Sequence, residues 1–336
     1  MNRFWLPQYG SEGEDVAAPA YVSLLAKTYD AIKAIRPHST IYGGALAPRG
    51  RDLAGTGRDT HSPTAFILDM GAAYRGSGRL KPIMDAFAFH PYADRSDVSP
   101  SFEHPASTSI GIADYGKLVS LLGQAFDGTA QRGSALPILY DEFGVESTIP
   151  AAKEASYTGV EAATVYPVDE ATQAAFYEEA LQLTFCQPTV IGLFFFHYVD
   201  ERAHAGWQSG LYYADGTSKT SFTRVRRPID TTRRGVVTRC PALRLTPKLT
   251  ITTTIKPRLR VTLTSNLDVS YSLRLQRVGG GSPNVVLKGS LIGRAKTTVP
   301  IKAKLTPGRY RWLAQAKAAQ NAGAPLLATS RVFRVR

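Results

Sequence analysis

The chain has 336 residues, of which 43% are hydrophobic, and this length is sufficient for two domains of ordinary size. No apolar run approaches the roughly 20 residues that a membrane-spanning helix needs, so the sequence predicts no membrane span. The net charge of +13 is unevenly divided: residues 1–222 carry 16 Lys and Arg against 25 Asp and Glu, a balance of −9, whereas residues 223–336 carry 24 against 2, a balance of +22. The sequence therefore predicts an acidic body followed by a basic domain.

Helical and strand patterns alternate through residues 1–222. The predicted helices are YVSLLAKTYDAIKAIRP, a segment starting from the Ser62-Pro63 cap, ADYGKLVSLLGQAF and TQAAFYEEALQLTF. The predicted strands are TIYGGALAP, MDAFAFHPY, LPILYDEFGV and VIGLFFFHYVDE, each apolar until its C-terminal end. This alternation predicts a parallel α/β sheet that is buried on both faces, with functional side chains at the strand C-termini. No glycine-rich phosphate-binding motif follows any strand, which argues against a nucleotide-binding sheet.

The pattern changes after residue 222. About seven alternating or β-rich runs follow one another at roughly ten-residue spacing, separated by Pro, Gly and Asn, a pattern typical of an immunoglobulin-like sandwich. We therefore predict a first domain over 1–222, a linker over 223–240 within the junction that includes RRPIDTTRRGVVTRCPA (226–242), and a basic all-β sandwich over 241–336.

Polar and aromatic side chains cluster where the predicted strands end. The strand LPILYDEFGV ends in Asp141-Glu142, and because neighbouring strand residues face opposite sides, only one of these acids can point into a site. His90 and Tyr92 share one face at the end of the preceding strand, and the last strand is followed by His197. A carboxylate surrounded by His, Tyr and Trp is typical of sugar-binding sites, in which aromatic faces stack on pyranose rings.

Two of these motifs resemble those of a known family. YDEFG (Tyr140 to Gly144) and FHPY (Phe89 to Tyr92) resemble the ends of strands seven and six in clan A glycoside hydrolases, which are retaining (β/α)8 enzymes such as cellulases and β-xylosidases. The resemblance covers residues 1–222 and implies a partial TIM barrel with strands equivalent to five through eight. It implies that Glu142 is the nucleophile. It also implies that the substrate-binding residues are Asn2, Trp5, His90, Tyr92, His197 and Trp207, the last in an aromatic platform after strand eight.

The implied activity is hydrolysis of O-glycosidic bonds in a polysaccharide or β-glycoside by double displacement, which needs a second carboxyl as acid and base. The opening MNRFWLPQYG resembles the loop after strand four, with Met1-Asn2 at the end of a Trp-Asn-Glu-x-Asn motif. The acid–base glutamate is then expected just upstream of Met1, and this chain alone is expected to be inactive. Either the start is misassigned within a longer secreted enzyme, the favoured interpretation, or the chain is a true fragment. Nearby Glu12, Glu14 and Asp15 are predicted to form a solvated loop cluster.

Two alternatives come from other classes of protein: a non-catalytic carbohydrate- or envelope-binding protein, and a structural surface protein in which only the sandwich matters. We predict no cofactor and no metal site, because neither cysteine has metal-ligand spacing. Cys186 and Cys240 are either a disulfide or two buried free thiols. The basic domain is expected to bind an anionic cell-envelope polymer rather than nucleic acid, since no recognition motif for nucleic acid is present, or to be a spacer whose charge aids solubility. The expected location is extracellular.

Overall fold

A computed structural model describes residues 5–162, 165–235, 237, 240, 248–256, 258–281, 285–292, 296–318 and 325–335. The chain divides into two compact units, Met1–Val225 and Arg226–Arg336. Each unit has its own hydrophobic core.

The first unit is built on a four-stranded parallel sheet. Its elements are α1 (Ala17–Ile35), β1 (Tyr42–Leu46), α2 (Pro63–Gly76), β2 (Ala86–Phe89), α3 (Tyr115–Phe126), β3 (Ile138–Phe143), α4 (Glu170–Phe185) and β4 (Val190–Phe195). Helix α5 (Thr220–Arg233) follows β4 and contains the boundary with the second unit. The strands lie side by side in chain order, β1-β2-β3-β4, and every pairing is parallel. The predicted alternating α/β architecture with a parallel sheet is therefore confirmed.

Local sequence signals account for how these elements begin and pack. The Ser62 hydroxyl accepts a hydrogen bond from the Ala65 amide at 3.1 Å, with Pro63 in the first turn of α2, as the Ser-Pro cap predicts. Helices α2 and α3 approach closely at Gly71, where a Cβ atom would lie 2.5 Å from Ala125 Cα. Any larger residue at Gly71 would therefore push these two helices apart.

Helix α1 begins at Ala17, four residues before the predicted helix that starts at Tyr21. Contacts of the Asp15 side chain account for the earlier start. Its Oδ1 accepts hydrogen bonds from the amides of Ala17 (2.8 Å) and Ala18 (3.0 Å), which otherwise lack partners at a helix start. The side chain of Asp15 is only 10% exposed. The prediction of a solvated acidic loop is therefore wrong for Asp15.

The prediction that the sheet is buried on both faces holds for β2 but not for β4. All four residues of β2 are buried, whereas Ile191 and Phe194 of β4 are 56% and 58% exposed. Among the strands that the structure describes, β4 is an edge of the sheet and pairs with β3 alone, so its apolar side chains have fewer neighbours than an apolar run suggests.

The second unit contains antiparallel strands in two sheets. The strands are β5 (Leu249–Thr254), β6 (Arg260–Ser265), β7 (Val269–Arg277), β8 (Val286–Leu291), β9 (Lys296–Pro300), β10 (Gly308–Ala318), β11 (Leu326–Thr329) and β12 (Phe333–Val335). One sheet has the order β11-β10-β7-β8 with β12 also on β10, and the other has the order β5-β6-β9. Each of the seven β-rich runs predicted after residue 222 contains a strand. The last run, LLATSRVFRVR, is divided into β11 and β12 at Ser330, whose hydroxyl accepts a hydrogen bond from the Trp312 amide at 2.9 Å.

The core of this unit combines side chains from both sheets. Buried Val261 and Leu263 from β6 join Leu273 of β7 and Trp312 of β10 in one hydrophobic cluster. Along β10, buried and more exposed residues alternate, as expected for a strand with one face on a core. The sheets therefore bury their inner faces in a common core.

The boundary between the units falls within α5, which covers part of the range 223–240 that the sequence predicts to be a linker. Helix α5 contains Pro228 and is rich in Arg, two features that favour the prediction of a linker over that of a helix. Neither Cys186 nor Cys240 is a free thiol, which excludes the interpretation as two buried free thiols. None of the helices in the described ranges combines the length and apolar character that crossing a membrane requires.

Candidate active site

A pocket of about 510 Å³ lies at the C-terminal ends of the four parallel strands. It is lined by residues that follow β1, β2 and β4 and by residues at and after the end of β3. These lining residues are Ala47, Pro48, Arg49, His90, Tyr92, Ala93, Asp94, Arg95, Ser96, Glu142, Gly144, Val145, Glu146, Val165, Phe196 and Trp207. The carboxyl ends of parallel strands meet at one edge of a sheet, which is where ligands bind in such folds.

Glu142 lies in this pocket with two polar partners on one carboxylate oxygen. The Tyr92 hydroxyl donates a hydrogen bond to Glu142 Oε2 at 3.2 Å. His90 Nδ1 lies 3.3 Å from the same oxygen. Burial and the neighbouring Glu142 carboxylate raise the pKa of the Tyr92 hydroxyl, so it remains a hydrogen-bond donor to Glu142 at neutral pH.

Asp141 lies on the other side of His90. His90 Nε2 is 3.3 Å from Asp141 Oδ2, so the imidazole bridges two adjacent carboxylates of β3. A neutral imidazole has one N–H and can donate to only one of them, whereas an imidazolium donates to both. Of the two acids, Glu142 lines the pocket and Asp141 does not.

Aromatic rings form one wall of the pocket. The Tyr92 ring lies between Phe143, with centroids 6.4 Å apart, and Trp207, with centroids 5.5 Å apart. Trp207 also meets the Phe196 ring edge-on at 5.5 Å and is 37% exposed. A partly exposed indole beside a carboxylate can pack against the apolar face of a sugar ring.

Glu146 is a second glutamate in the pocket, and the sequence motifs did not identify it. The residue is 7% exposed, and its Oε2 is buried without a hydrogen-bond partner among the described residues. Burial, with the charge of Glu161 adding to it, raises the pKa of Glu146 to about 7. Its position four residues after Glu142 was a weak signal, because the backbone path that turns it back to the pocket depends on tertiary contacts.

The loop after β4 that carries Trp207 is anchored by a buried ion pair. Lys219 Nζ lies 2.7 Å from Asp200 Oδ2, and both side chains are fully buried. Asp200 also accepts hydrogen bonds from the Tyr157 hydroxyl and the Gly210 amide, each at 2.7 Å. These contacts fix both ends of the loop.

Three predicted substrate-binding residues lie outside the set that lines the pocket. His197 Nε2 lies 3.1 Å from Glu201 Oε1, and its ring packs against Phe196. Trp5 packs edge-on against Tyr21, with ring centroids 6.1 Å apart, at the margin of the core. Asn2 lies outside the described residues. The roles predicted for these three residues stay predictions.

The mouth of the pocket carries charged groups that the sequence did not single out. Arg49 lies 3.6 Å from Asp94 and donates a hydrogen bond to the Ala93 carbonyl at 2.9 Å. Arg95 also lines the pocket and pairs with Asp97 at 2.9 Å. These loops follow β1 and β2, and their charged side chains resemble ordinary surface residues in the sequence.

No protein-family model and no curated protein matches the chain. Among solved structures, the chain is similar to a family 39 glycoside hydrolase from Bacteroides cellulosilyticus, with 16% identity and a TM-score of 0.42, over 88% of this chain and 56% of that one. It is also similar to a calcium-binding mutant of β-glucuronidase 2 from Bacteroides uniformis, with 14% identity and a TM-score of 0.35, over 98% of this chain and 32% of that one. A third similar structure is a family 10 endoxylanase from a sugarcane soil metagenome, with 10% identity and a TM-score of 0.33, over 60% of this chain and 52% of that one.

These proteins are glycoside hydrolases, the class that the motifs around Glu142 resemble, and the likeness is distant. The chain spans between about a third and somewhat more than half of their length.

Proposed function

We propose that the pocket of the first unit is the nucleophile side of a retaining glycoside hydrolase site, with Glu142 as the nucleophile. The observation that carries this proposal is the environment of the Glu142 carboxylate, which receives a hydrogen bond from Tyr92 and lies beside His90 in a pocket with an aromatic wall. The substrate class that fits is a polysaccharide or a β-glycoside. In this proposal the unit corresponds to the second half of a (β/α)8 barrel.

The proposed reaction begins with attack of a Glu142 carboxylate oxygen on the anomeric carbon. The bond from that carbon to the leaving oxygen breaks, and a glycosyl ester forms on Glu142. Water then attacks the same carbon and gives a proton to the second carboxyl group that the mechanism needs, the ester bond breaks, and Glu142 is regenerated. The proton that the departing alcohol needs comes from a second carboxyl, about 5–5.5 Å from the nucleophile in retaining enzymes.

Tyr92 and His90 act together on the nucleophile in this scheme. The Tyr92 hydroxyl and the imidazole both contact Oε2, so they orient the carboxylate and hold its second oxygen, Oε1, toward the substrate. As the ester forms, negative charge leaves the carboxylate, so these contacts also tune its nucleophilicity. Trp207 positions the sugar by packing against its ring.

Covalent labelling tests the nucleophile without depending on the acid–base group. A 2,4-dinitrophenyl 2-deoxy-2-fluoroglycoside has a leaving group that departs without a proton, and its fluorine slows breakdown of the ester. Incubation of the full chain with gluco-, manno- and xylo-configured reagents, followed by peptide mass spectrometry, is expected to add one glycosyl mass to the peptide containing Glu142. The preferred reagent would identify the sugar class.

Glu142→Gln is the matched variant and is expected to abolish the label, because the amide is a poor nucleophile. Glu103→Gln changes an exposed glutamate and is expected to label like the natural chain. Labelling of Glu142→Gln at the natural rate, or a label on another carboxylate, would refute the assignment. Saturable sugar binding without any label would favour a non-catalytic carbohydrate-binding protein instead.

We further propose that the basic second unit binds an anionic cell-envelope polymer and that the protein acts outside the cell. The balance of +22 over residues 223–336 supports electrostatic binding. Binding of the full chain to an immobilised anionic polysaccharide is expected at low salt and is expected to be lost by about 0.5 M salt, where screening is strong. Binding that survives 0.5 M salt, or no binding at low salt, would refute the electrostatic proposal.

A further inference from the structure

Three potential metal ligands meet beside the start of α1. Asp15 precedes α1, His61 precedes α2, and Asp69 lies within α2. One ligand atom from each residue lies within 4.8 Å of the others. None of the three lines the pocket described above.

The cluster is buried and has an unsatisfied oxygen. The side chains of His61 and Asp15 are 3% and 10% exposed. The two helix amides occupy Asp15 Oδ1, while Asp15 Oδ2 is buried and receives no hydrogen bond from any residue that the structure describes. A buried carboxylate oxygen without a donor is costly unless a cation or a proton satisfies it.

A second carboxyl group faces Asp15. One carboxyl oxygen of Asp69 lies within 4.8 Å of a carboxyl oxygen of Asp15, so two carboxyl groups meet in the cluster. Within the described residues, His61 is the one basic side chain at ion-pair distance from Asp15, with its Nε2 3.3 Å from Oδ1. The same nitrogen lies 3.2 Å from the Gln8 carbonyl oxygen, which is another potential metal ligand.

We propose that Asp15, His61 and Asp69 bind a divalent metal ion of the zinc or manganese class. One imidazole nitrogen with two carboxylate oxygens suits these ions, whereas Ca²⁺ and Mg²⁺ prefer all-oxygen sites. Ligation at about 2.0–2.2 Å requires the three side chains to draw closer by small rotations. The bound ion would link the segment before α1 to α2.

The role expected for this ion is structural. Segment 8–15 contacts α2 and the residues just before it through the Tyr9 and His61 rings, whose centroids are 4.2 Å apart with planes inclined at 41°, and through the two carboxyl groups of Asp15 and Asp69. An ion binding the folded state alone stabilises it in proportion to the logarithm of its concentration over Kd. A proton shared between the two carboxyls is the alternative to a metal, and the experiment below separates the two.

The test uses the full chain after dialysis against a chelator, at pH 7.5. Isothermal titration with ZnCl₂, and separately with MnCl₂, is expected to show one saturable site. The melting temperature is expected to rise when metal is added and to return to its metal-free value when chelator is added. CaCl₂ and MgCl₂ serve as the hard-cation comparison and are expected to bind at least tenfold more weakly.

Asp69→Asn is the decisive variant, because its amide can donate to Asp15 and keep the fold without a metal. It is expected to melt no lower than the natural chain in chelator, yet to bind Zn²⁺ about 100-fold more weakly and to lose the metal-dependent rise in melting temperature. His38→Gln, an exposed histidine, controls for surface binding of Zn²⁺ and is expected to bind normally. No saturable binding by the natural chain, or equal binding by Asp69→Asn, would overturn the proposal in favour of a shared proton.

Discussion

The Tyr92 hydroxyl, from the segment after β2, donates a hydrogen bond to Glu142 Oε2 at the end of β3. The contact joins two neighbouring strands at the carboxyl edge of the sheet, where the pocket lies. The Tyr92 ring also packs beside Trp207, so one side chain connects the carboxylate to the aromatic wall. Tyr92 therefore contributes both polarity and shape to the site.

Removing this hydroxyl is expected to slow labelling of Glu142. In Tyr92→Phe the carboxylate loses a hydrogen bond that orients it, and a hydrogen bond to a charged group contributes about 1.5–3 kcal/mol. The rate constant for covalent labelling is expected to fall about 10- to 100-fold. Tyr198→Phe, which removes a hydroxyl from a residue 61% exposed, is the control and is expected to label normally. An unchanged rate in Tyr92→Phe would show that the contact does not serve catalysis.

Replacing the Trp207 indole is expected to weaken sugar binding more than chemistry. Loss of the ring in Trp207→Ala removes a stacking surface worth about 1–2 kcal/mol, which is about a tenfold increase in the reagent concentration that gives half-maximal labelling. The maximal labelling rate is expected to change less. Trp207→Phe keeps an aromatic face, and its half-maximal reagent concentration is expected to lie between those of the natural chain and Trp207→Ala. An unchanged half-maximal concentration in Trp207→Ala would remove Trp207 from the sugar site.

Glu146 is expected to make the stability of the first unit depend on pH. In the folded chain burial raises its pKa to about 7, whereas in the unfolded chain it titrates near 4.5. Between these values unfolding releases a proton, so raising the pH from 4.5 to 7 favours unfolding. The side chain of Glu146→Gln is uncharged at every pH, so this variant lacks the pH-dependent loss of stability.

The measurement is the difference in free energy of unfolding between the natural chain and Glu146→Gln, from denaturant titrations at pH 4.5, 6 and 8. The natural chain is expected to lose on the order of 2 kcal/mol relative to the variant between pH 4.5 and 7, and little more above pH 8. Glu103→Gln should follow the natural chain throughout. A difference that is flat with pH would mean that Glu146 is ionised in the folded state.

The sheet and its polar edge were predictable because their signals are local. Each element is marked by the spacing of its apolar residues and by the residues that start or end it, such as Ser62-Pro63 at the start of α2. The apolar strand that ends in Asp141-Glu142 marks the polar edge of the sheet. Once parallel strands are assigned, their carboxyl ends must meet. Because these ends meet, the segment that directly follows β2 and carries Tyr92 lies beside Glu142 at the end of β3.

The remaining features depend on contacts that no local pattern encodes. Ile191 in β4 is apolar like its neighbours, and its exposure follows from the strand order of the sheet. His197 Nε2 lies 3.1 Å from Glu201 Oε1, a contact that depends on the path of the loop after β4. Asp15 and Asp69 are 54 positions apart, and only the packing of α1 against α2 brings them together.

The buried pair Lys219–Asp200 gives the strongest stability prediction. Lys219→Met leaves the Asp200 carboxylate buried without its countercharge, and breaking a buried pair in this way costs about 3–5 kcal/mol. The Tyr157 hydroxyl and Gly210 amide still donate to Asp200 and limit the loss. Denaturant titration is expected to show this decrease in free energy of unfolding, together with weaker sugar binding as the Trp207 loop loosens.

Two further variants separate charge burial from side-chain loss. The double variant Lys219→Met with Asp200→Asn leaves no buried charge and is expected to recover at least half of the lost stability. Lys153→Met removes the partner of Asp215 in a pair whose side chains are 27% and 28% exposed, and is expected to cost much less stability than Lys219→Met because solvent screens the pair. Equal losses in Lys219→Met and Lys153→Met would contradict the anchoring role. Because Asp200 lies within the loop and Lys219 follows its end, a large loss confined to Lys219→Met would show that one buried charge pair holds the aromatic wall of the pocket in place.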